Sequence, residues 1–132
     1  MKKIFVLFII LTLTLSLFTA CINKTTELKM GKYTLEVKEN NEIPDVMLPH
    51  ITLTDKQFTF VYDSLSSYLN IGTYKITDDI LILTTSDKKY TYSFKIDGDS
   101  LVFIEDKSDS VSLIDKRIGI QVIENSAFKL TE

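Results

Sequence analysis

Histidine occurs once in this 132-residue chain, at His50, and cysteine once, at Cys21. A zinc centre, a Ser-His-Asp relay or a Cys-His pair needs an imidazole beside further ligands or a nucleophile, so each would rest on that single ring. His50 follows Pro49 in MLPHITLT, the ordinary setting of a rim or strand residue. No HExxH, GxSxG, phosphate-loop or GxGxxG spacing occurs. Carboxylates gather at Asp78-Asp79, at Asp97 and Asp99, and at Glu105, Asp106 and Asp109. Calcium coordination or acid–base cleavage of glycosides would use such oxygens. The Asp97-Gly98-Asp99 run, however, lacks the spacing and terminal Glu of an EF-hand, and each cluster falls between apolar runs, where Asp serves as turn chemistry. This inventory predicts a protein that is not an enzyme and that holds no cofactor and no metal.

The remaining reactive group, the Cys21 thiol, stands at a sharp boundary. Lys2 and Lys3 precede an almost wholly apolar run from Ile4 to Phe18, the charged head and greasy body of an export signal. The run is shorter than the roughly 20 apolar residues that cross a bilayer, and the small pair Thr19-Ala20 follows it. Leu17-Phe18-Thr19-Ala20-Cys21 resembles the lipobox of bacterial lipoproteins, with Phe18 in the place usually taken by Leu. That resemblance implies a cleaved signal peptide over residues 1–20 and a diacylglyceryl thioether on Cys21. A thiol suits the transfer because its thiolate is the strong nucleophile among side chains. Each acyl methylene buried in a bilayer then contributes about 0.8 kcal/mol to attachment. A chain with one cysteine has no internal disulfide, so packing and hydrogen bonds must hold it together.

The expected residence is therefore the extracytoplasmic face of the cell membrane, with the membrane itself as a partner through the lipid anchor. The formal charge of −3 becomes more acidic when Lys2 and Lys3 leave with the signal. That sign speaks against nucleic acid, whose phosphates require basic patches, and against adhesion to anionic lipid by charge. Residues 21–30 lack any period and read as a tether. Residues 31–132 contain no Gly/Ser-rich linker and no repeat of solenoid length, and read as a single β-domain.

The period along that domain is two. Tyr33, Leu35 and Val37 alternate with polar residues in GKYTLEVK, Phe58, Phe60 and Tyr62 do so in KQFTFVYD, and Tyr90, Tyr92, Phe94 and Ile96 do so in KYTYSFKI. Aromatic and β-branched residues dominate these runs, which favours pleated strands. Thr77-Asp78-Asp79, Ser86-Asp87-Lys88 and Asp97-Gly98-Asp99 punctuate them, the last as a tight hairpin of the type with positive φ at both central residues. The fold class is thus all-β: an antiparallel meander of seven or eight short strands forming a small lipocalin-like barrel or a sandwich. ILIL (80–83) and LVFI (101–104) are apolar on both faces and call for cover, from the tail IGIQVIENSAFKL or from the loop between Leu65 and Leu69. In that loop, DSLSSYLN, a single helical turn capped by Ser64 is expected.

A barrel of about eight strands is just wide enough to be filled by side chains or to hold one small ligand. The aromatic face favours filling, and Tyr62, Tyr68 and Asn70 are the candidate ligand-binding residues at its mouth. FTF with LSSY, GTY, the DD turn, KYTYSFKI and SLVF together resemble a small extracytoplasmic β-domain of Firmicutes. It is found as free lipoproteins and as a tail on membrane metallopeptidases of the β-lactam-responsive antirepressor family. GKY at Gly31 and GTY at Gly72 are more loosely similar to lipocalin-like lipoproteins. These likenesses imply a noncatalytic module that binds a small apolar ligand or a partner. The alternative is a solid-core docking or regulatory accessory to a membrane protein, using a sheet edge or a loop.

Overall fold

The computed structural model describes residues 27–37 and 43–132; the signal segment, Cys21 and the first part of the tether lie outside the described residues. Eight strands follow in chain order: β1 (Gly31–Leu35), β2 (His50–Leu53), β3 (Phe58–Val61), β4 (Asn70–Thr77), β5 (Ile80–Thr85), β6 (Thr91–Asp97), β7 (Ser100–Phe103) and β8 (Ala127–Leu130). Each pairs antiparallel with its sequence neighbour, and β8 returns to pair with β1 through Tyr33↔Leu130 and Leu35↔Phe128. The sheet is a closed barrel. Closure pairs the backbone groups that an open sheet would expose, so among the described strands no edge is left for docking by strand addition.

Alternation decides which side chains fill the barrel. On β5 the run ILIL resolves into buried Leu81 and Leu83 and half-buried Ile80 and Ile82, and on β7 Leu101 and Phe103 point inward while Val102 does not. The double-sided cover expected for these runs is not what they receive. The tail instead supplies the eighth strand, and its Phe128 is fully buried. Phe60 sits at the centre, its ring edge-on to Tyr92, Phe94 and Phe128 at centroid distances of 5.1, 5.7 and 5.9 Å. Aromatic rings bury large areas, and edge-to-face pairs add about 0.5–1.5 kcal/mol beyond area alone. These rings pack against one another in the middle of the barrel.

The core is drawn from residues between Leu28 and Leu130, so the barrel carries its own packing. Residues Leu28 to Met30, placed in the tether by sequence, lie against it. Leu28 packs on the core, Lys29 Nζ is 2.8 Å from Asp99 Oδ1, and the Lys29 carbonyl accepts the Tyr33 hydroxyl at 2.8 Å.

The two ends differ. At the entry end lie residues 27–30, the short turns at 54–57, 78–79 and 98–99, and the final residues. The opposite end carries the longer connections 62–69, 86–90 and 104–126 and the 3₁₀ turn Asp45–Met47. The hairpin after β6 departs from expectation by one residue. Asp97 pairs with Ser100, so Gly98 and Asp99 are the central pair, and only Gly98 takes positive φ (59°). The β4–β5 turn repeats this arrangement with Asp78 at φ 55°.

The helical turn expected after Ser64 does not form. Residues 64–65 make a plain turn and residues 66–69 take no regular structure. Asp63, not Ser64, caps the segment: its Oδ1 accepts the Leu65 amide at 2.9 Å, and its Oδ2 is engaged elsewhere. An Asx turn of this kind diverts the backbone groups that a helix would need.

Candidate functional site

The loop end of the barrel gathers the candidate residues. Tyr62 follows β3, Tyr68 lies in the following loop, and Asn70 opens β4 opposite Phe60. The structure brings all three to one cleft of about 30 Å³, completed by Phe60, Asp63, Ser66 and Leu69.

Alternation turns the Asn70 side chain inward, where it is buried. Its Oδ1 accepts the hydroxyl of Tyr92 at 2.8 Å, a bond wholly inside the barrel mouth. Burial, and after it the neighbouring Tyr62, pushes the Tyr92 hydroxyl far above its ordinary range. That group is a fixed donor at physiological pH.

Tyr68 is tied outward. Its hydroxyl donates to Asp87 Oδ2 at 2.8 Å, and its ring meets Tyr90 edge-on at 5.3 Å. The Thr85 hydroxyl, the Lys89 amide and the Tyr68 hydroxyl all donate to Asp87 and hold its carboxyl below the usual range. Asp63 makes the second link. While Oδ1 holds Leu65, Oδ2 accepts the amide of Ile114 at 2.6 Å, joining the 62–69 loop to the distant 104–126 loop.

A cleft of about 30 Å³ matches the share of volume one water takes in the liquid, whereas small-molecule sites run to about 300–1,000 Å³. It suits a water or one polar group of a partner. A broader recess of about 460 Å³ lies outside the barrel, open to solvent, between the β1–β8 seam and Val46 and Leu48. Lys32, Lys129, Glu36 and Asp45 surround it with both signs of charge. Inward-facing residues dominated the sequence reading, so this wall feature was missed; a turn holding exposed Val46 beside Pro44 was its only trace.

The other reactive residues have local uses. His50 Nδ1 lies 2.9 Å from the Leu48 carbonyl on the outer face of β2. Asp109 Oδ2 accepts the Thr91 amide at 2.6 Å, and Asp99 pairs with Lys29. Among the described residues no group of three His, Cys, Asp or Glu side chains is arranged to hold a metal ion. Cys21 lies outside the described residues. Compared with protein-family models, curated proteins and solved structures, the chain gives no match.

Proposed function

We propose that this chain is a lipid-anchored, extracytoplasmic module that acts without catalysis, as a docking or regulatory accessory whose contacts are made by loops on a solid barrel. The observation that carries the choice between a hollow binder and a solid docking module is the ring packing around Phe60, which occupies the space a ligand would need. The lipid attachment at Cys21 is supported by its position after Thr19-Ala20 at the end of the apolar run.

Two measurements test this reading. Mass spectrometry of the mature chain is expected to find Cys21 at the amino terminus carrying acyl chains, and Cys21→Ser is expected to leave the membrane fraction. An unmodified Cys21 with Lys2 and Lys3 still present overturns the anchor. Thermal unfolding with an apolar dye or fatty acid is expected to give no rise in Tm, because a ligand that binds the folded state raises stability by an amount set by its concentration over Kd. A concentration-dependent rise favours a hollow, ligand-binding barrel instead.

A further inference from the structure

We infer that residues 110–122 form a lid at the loop end of the barrel, held shut by one polar latch at Asp63, and that the lid opens as a unit while the barrel stays folded. The lid depends on neither the lipid anchor nor the absence of catalysis, and it gives the module a moving part that the reading above does not include.

Hydrogen bonding to the barrel stops at two posts. On the entering side, the Asp109 amide donates to the Thr91 carbonyl at 2.8 Å and the Thr91 amide to Asp109 Oδ2 at 2.6 Å. On the leaving side, the Glu124 amide donates to Glu105 Oε2 at 3.0 Å and the Asn125 amide to the Phe103 carbonyl at 3.1 Å, with Asn125 in the left-handed region at φ 63°. Between the posts, residues 110–122 take no helix or strand. Structureless connections of about that length or longer are uncommon in compact domains, and ordered ones serve as lids or binding loops.

The segment is stitched to itself. Gln121 Nε2 donates to the carbonyls of both Val111 and Val122, which ties the two arms together. Arg117 folds back on Asp115, with Nη2 2.7 Å from Oδ2, and the Ile118 amide donates to the Asp115 carbonyl at 3.2 Å. Gly119 lies so close to Leu113 that a Cβ on it would meet the leucine Cδ1 at 3.1 Å.

It is fastened to the rest of the molecule by much less. Among the described residues, the only hydrogen bond that leaves the segment runs from the Ile114 amide to Asp63 Oδ2, at 2.6 Å. The remaining attachment is apolar: Val111 and Val122 join the buried cluster of the barrel, and Ile120 packs against it. Backbone with few bonds to its surroundings opens at lower free energy than paired strands, and lids are drawn from such segments.

Opening changes what this end of the barrel offers. Asp63 Oδ2 loses its donor, at the cleft that Asp63 lines with Tyr62, Tyr68 and Asn70, and the apolar groups covered by Val111 and Val122 are bared. A ligand that binds only the open form has its affinity reduced by the fraction of chains that are open, so the latch sets that affinity.

The test places a thiol on each arm of the lid of the full chain, by Val111→Cys or Val122→Cys, with Leu81→Cys in the barrel wall as the reference. Alkylation is followed by the mass of the fragment that carries each thiol, which keeps Cys21 out of the reading. Positions 111 and 122 are expected to react at one common rate, about tenfold or more above position 81. Adding Asp63→Asn, which keeps one carbonyl oxygen and removes the second acceptor, is expected to speed both lid positions about tenfold, the loss of about 1.4 kcal/mol of closure, and to leave position 81 unchanged. Lid positions that react no faster than 81, rates at 111 and 122 that differ from each other about as much as either differs from 81, equal acceleration at 81, or indifference to Asp63→Asn each overturn the lid. Should Asp63→Asn fail to fold, the three thiols with Asp63 intact still decide, because a common fast rate at 111 and 122 supports the lid and a rate shared with 81 defeats it.

Discussion

The Tyr92 hydroxyl donates to Asn70 Oδ1 at 2.8 Å across 22 positions of sequence, tying β6 to the start of β4 inside the barrel mouth. Both partners are buried. Tyr92→Phe leaves the Asn70 carbonyl without its donor and is expected to cost about 1–3 kcal/mol. Urea denaturation followed by circular dichroism measures it. A variant as stable as the parent refutes the assignment.

The same hydroxyl sets an alkaline limit. Its folded pKa is raised above the ordinary 10.0 mainly by burial, so above that pH the unfolded chain sheds a proton that the folded chain keeps. The stabilisation is complete below the unfolded pKa and is lost as pH rises beyond it, at about 1.4 kcal/mol per pH unit for one such group. Tyr33, also raised chiefly by burial, adds in the same direction. Stability measured from about pH 9 to 11 is expected to fall less steeply in Tyr92→Phe than in the parent; equal slopes count against the buried tyrosine.

At the loop end, Asp63→Ala removes the acceptor shared by Leu65 and Ile114. Hydrogen exchange at those two amides is expected to accelerate while Leu81 and Leu83 in the barrel wall stay protected. The cost is expected to be about 1–3 kcal/mol, because both amides lose a partner in a half-buried setting. Unchanged exchange at Ile114 removes the latch.

Two glycines are expected to fail for different reasons and by different amounts. A Cβ on Gly72 meets the backbone carbonyl of Thr84 on the neighbouring strand, while one on Gly98 meets open space but must accept φ +59°. Gly98→Ala is expected to cost about 1–2 kcal/mol for the left-handed backbone. Gly72→Ala displaces a paired strand and is expected to cost more, about 3 kcal/mol or beyond. Chemical denaturation of both variants ranks them, and the reverse order contradicts the geometry.

On the acid side, Asp87 is held below its ordinary 3.8, first by the Thr85 hydroxyl. Its contribution to stability is present above the unfolded pKa and disappears as pH falls through the lower folded value. Carboxyl titration by NMR is expected to give a midpoint under 3.8 that moves up toward that value in Thr85→Val. No movement shows that the hydroxyl is not the cause.

Most of the wall of this barrel is legible in period-two patterning. Tyr33 and Leu35, Phe58 and Phe60, and Tyr92, Phe94 and Ile96 all point inward as their alternation requires. Tyr90, one residue before β6, escapes the pattern and sits on the rim, because alternation constrains a side chain only where the strand is paired. Candidate residues Tyr62, Tyr68 and Asn70 were legible as a neighbourhood, yet the bonds from Asn70 to Tyr92 and from Tyr68 to Asp87 were not. Those bonds depend on which strands become neighbours, and local sequence carries no record of it.

By itself the chain determined its all-β class, its turn positions and the residues of its aromatic face, since these follow from side-chain periodicity and from the conformations that Asp and Gly accept. Tertiary structure alone decided that the sheet closes. The segment AFKL, a short run in a long tail, finds two neighbours at once in β1 and β7. Closure then pairs the sheet edges among the described strands and gathers the rings of Tyr92, Phe94 and Phe128 around Phe60. A strand's pairing partners are chosen by the collective register of the whole sheet, and that choice exists only once every strand is in place.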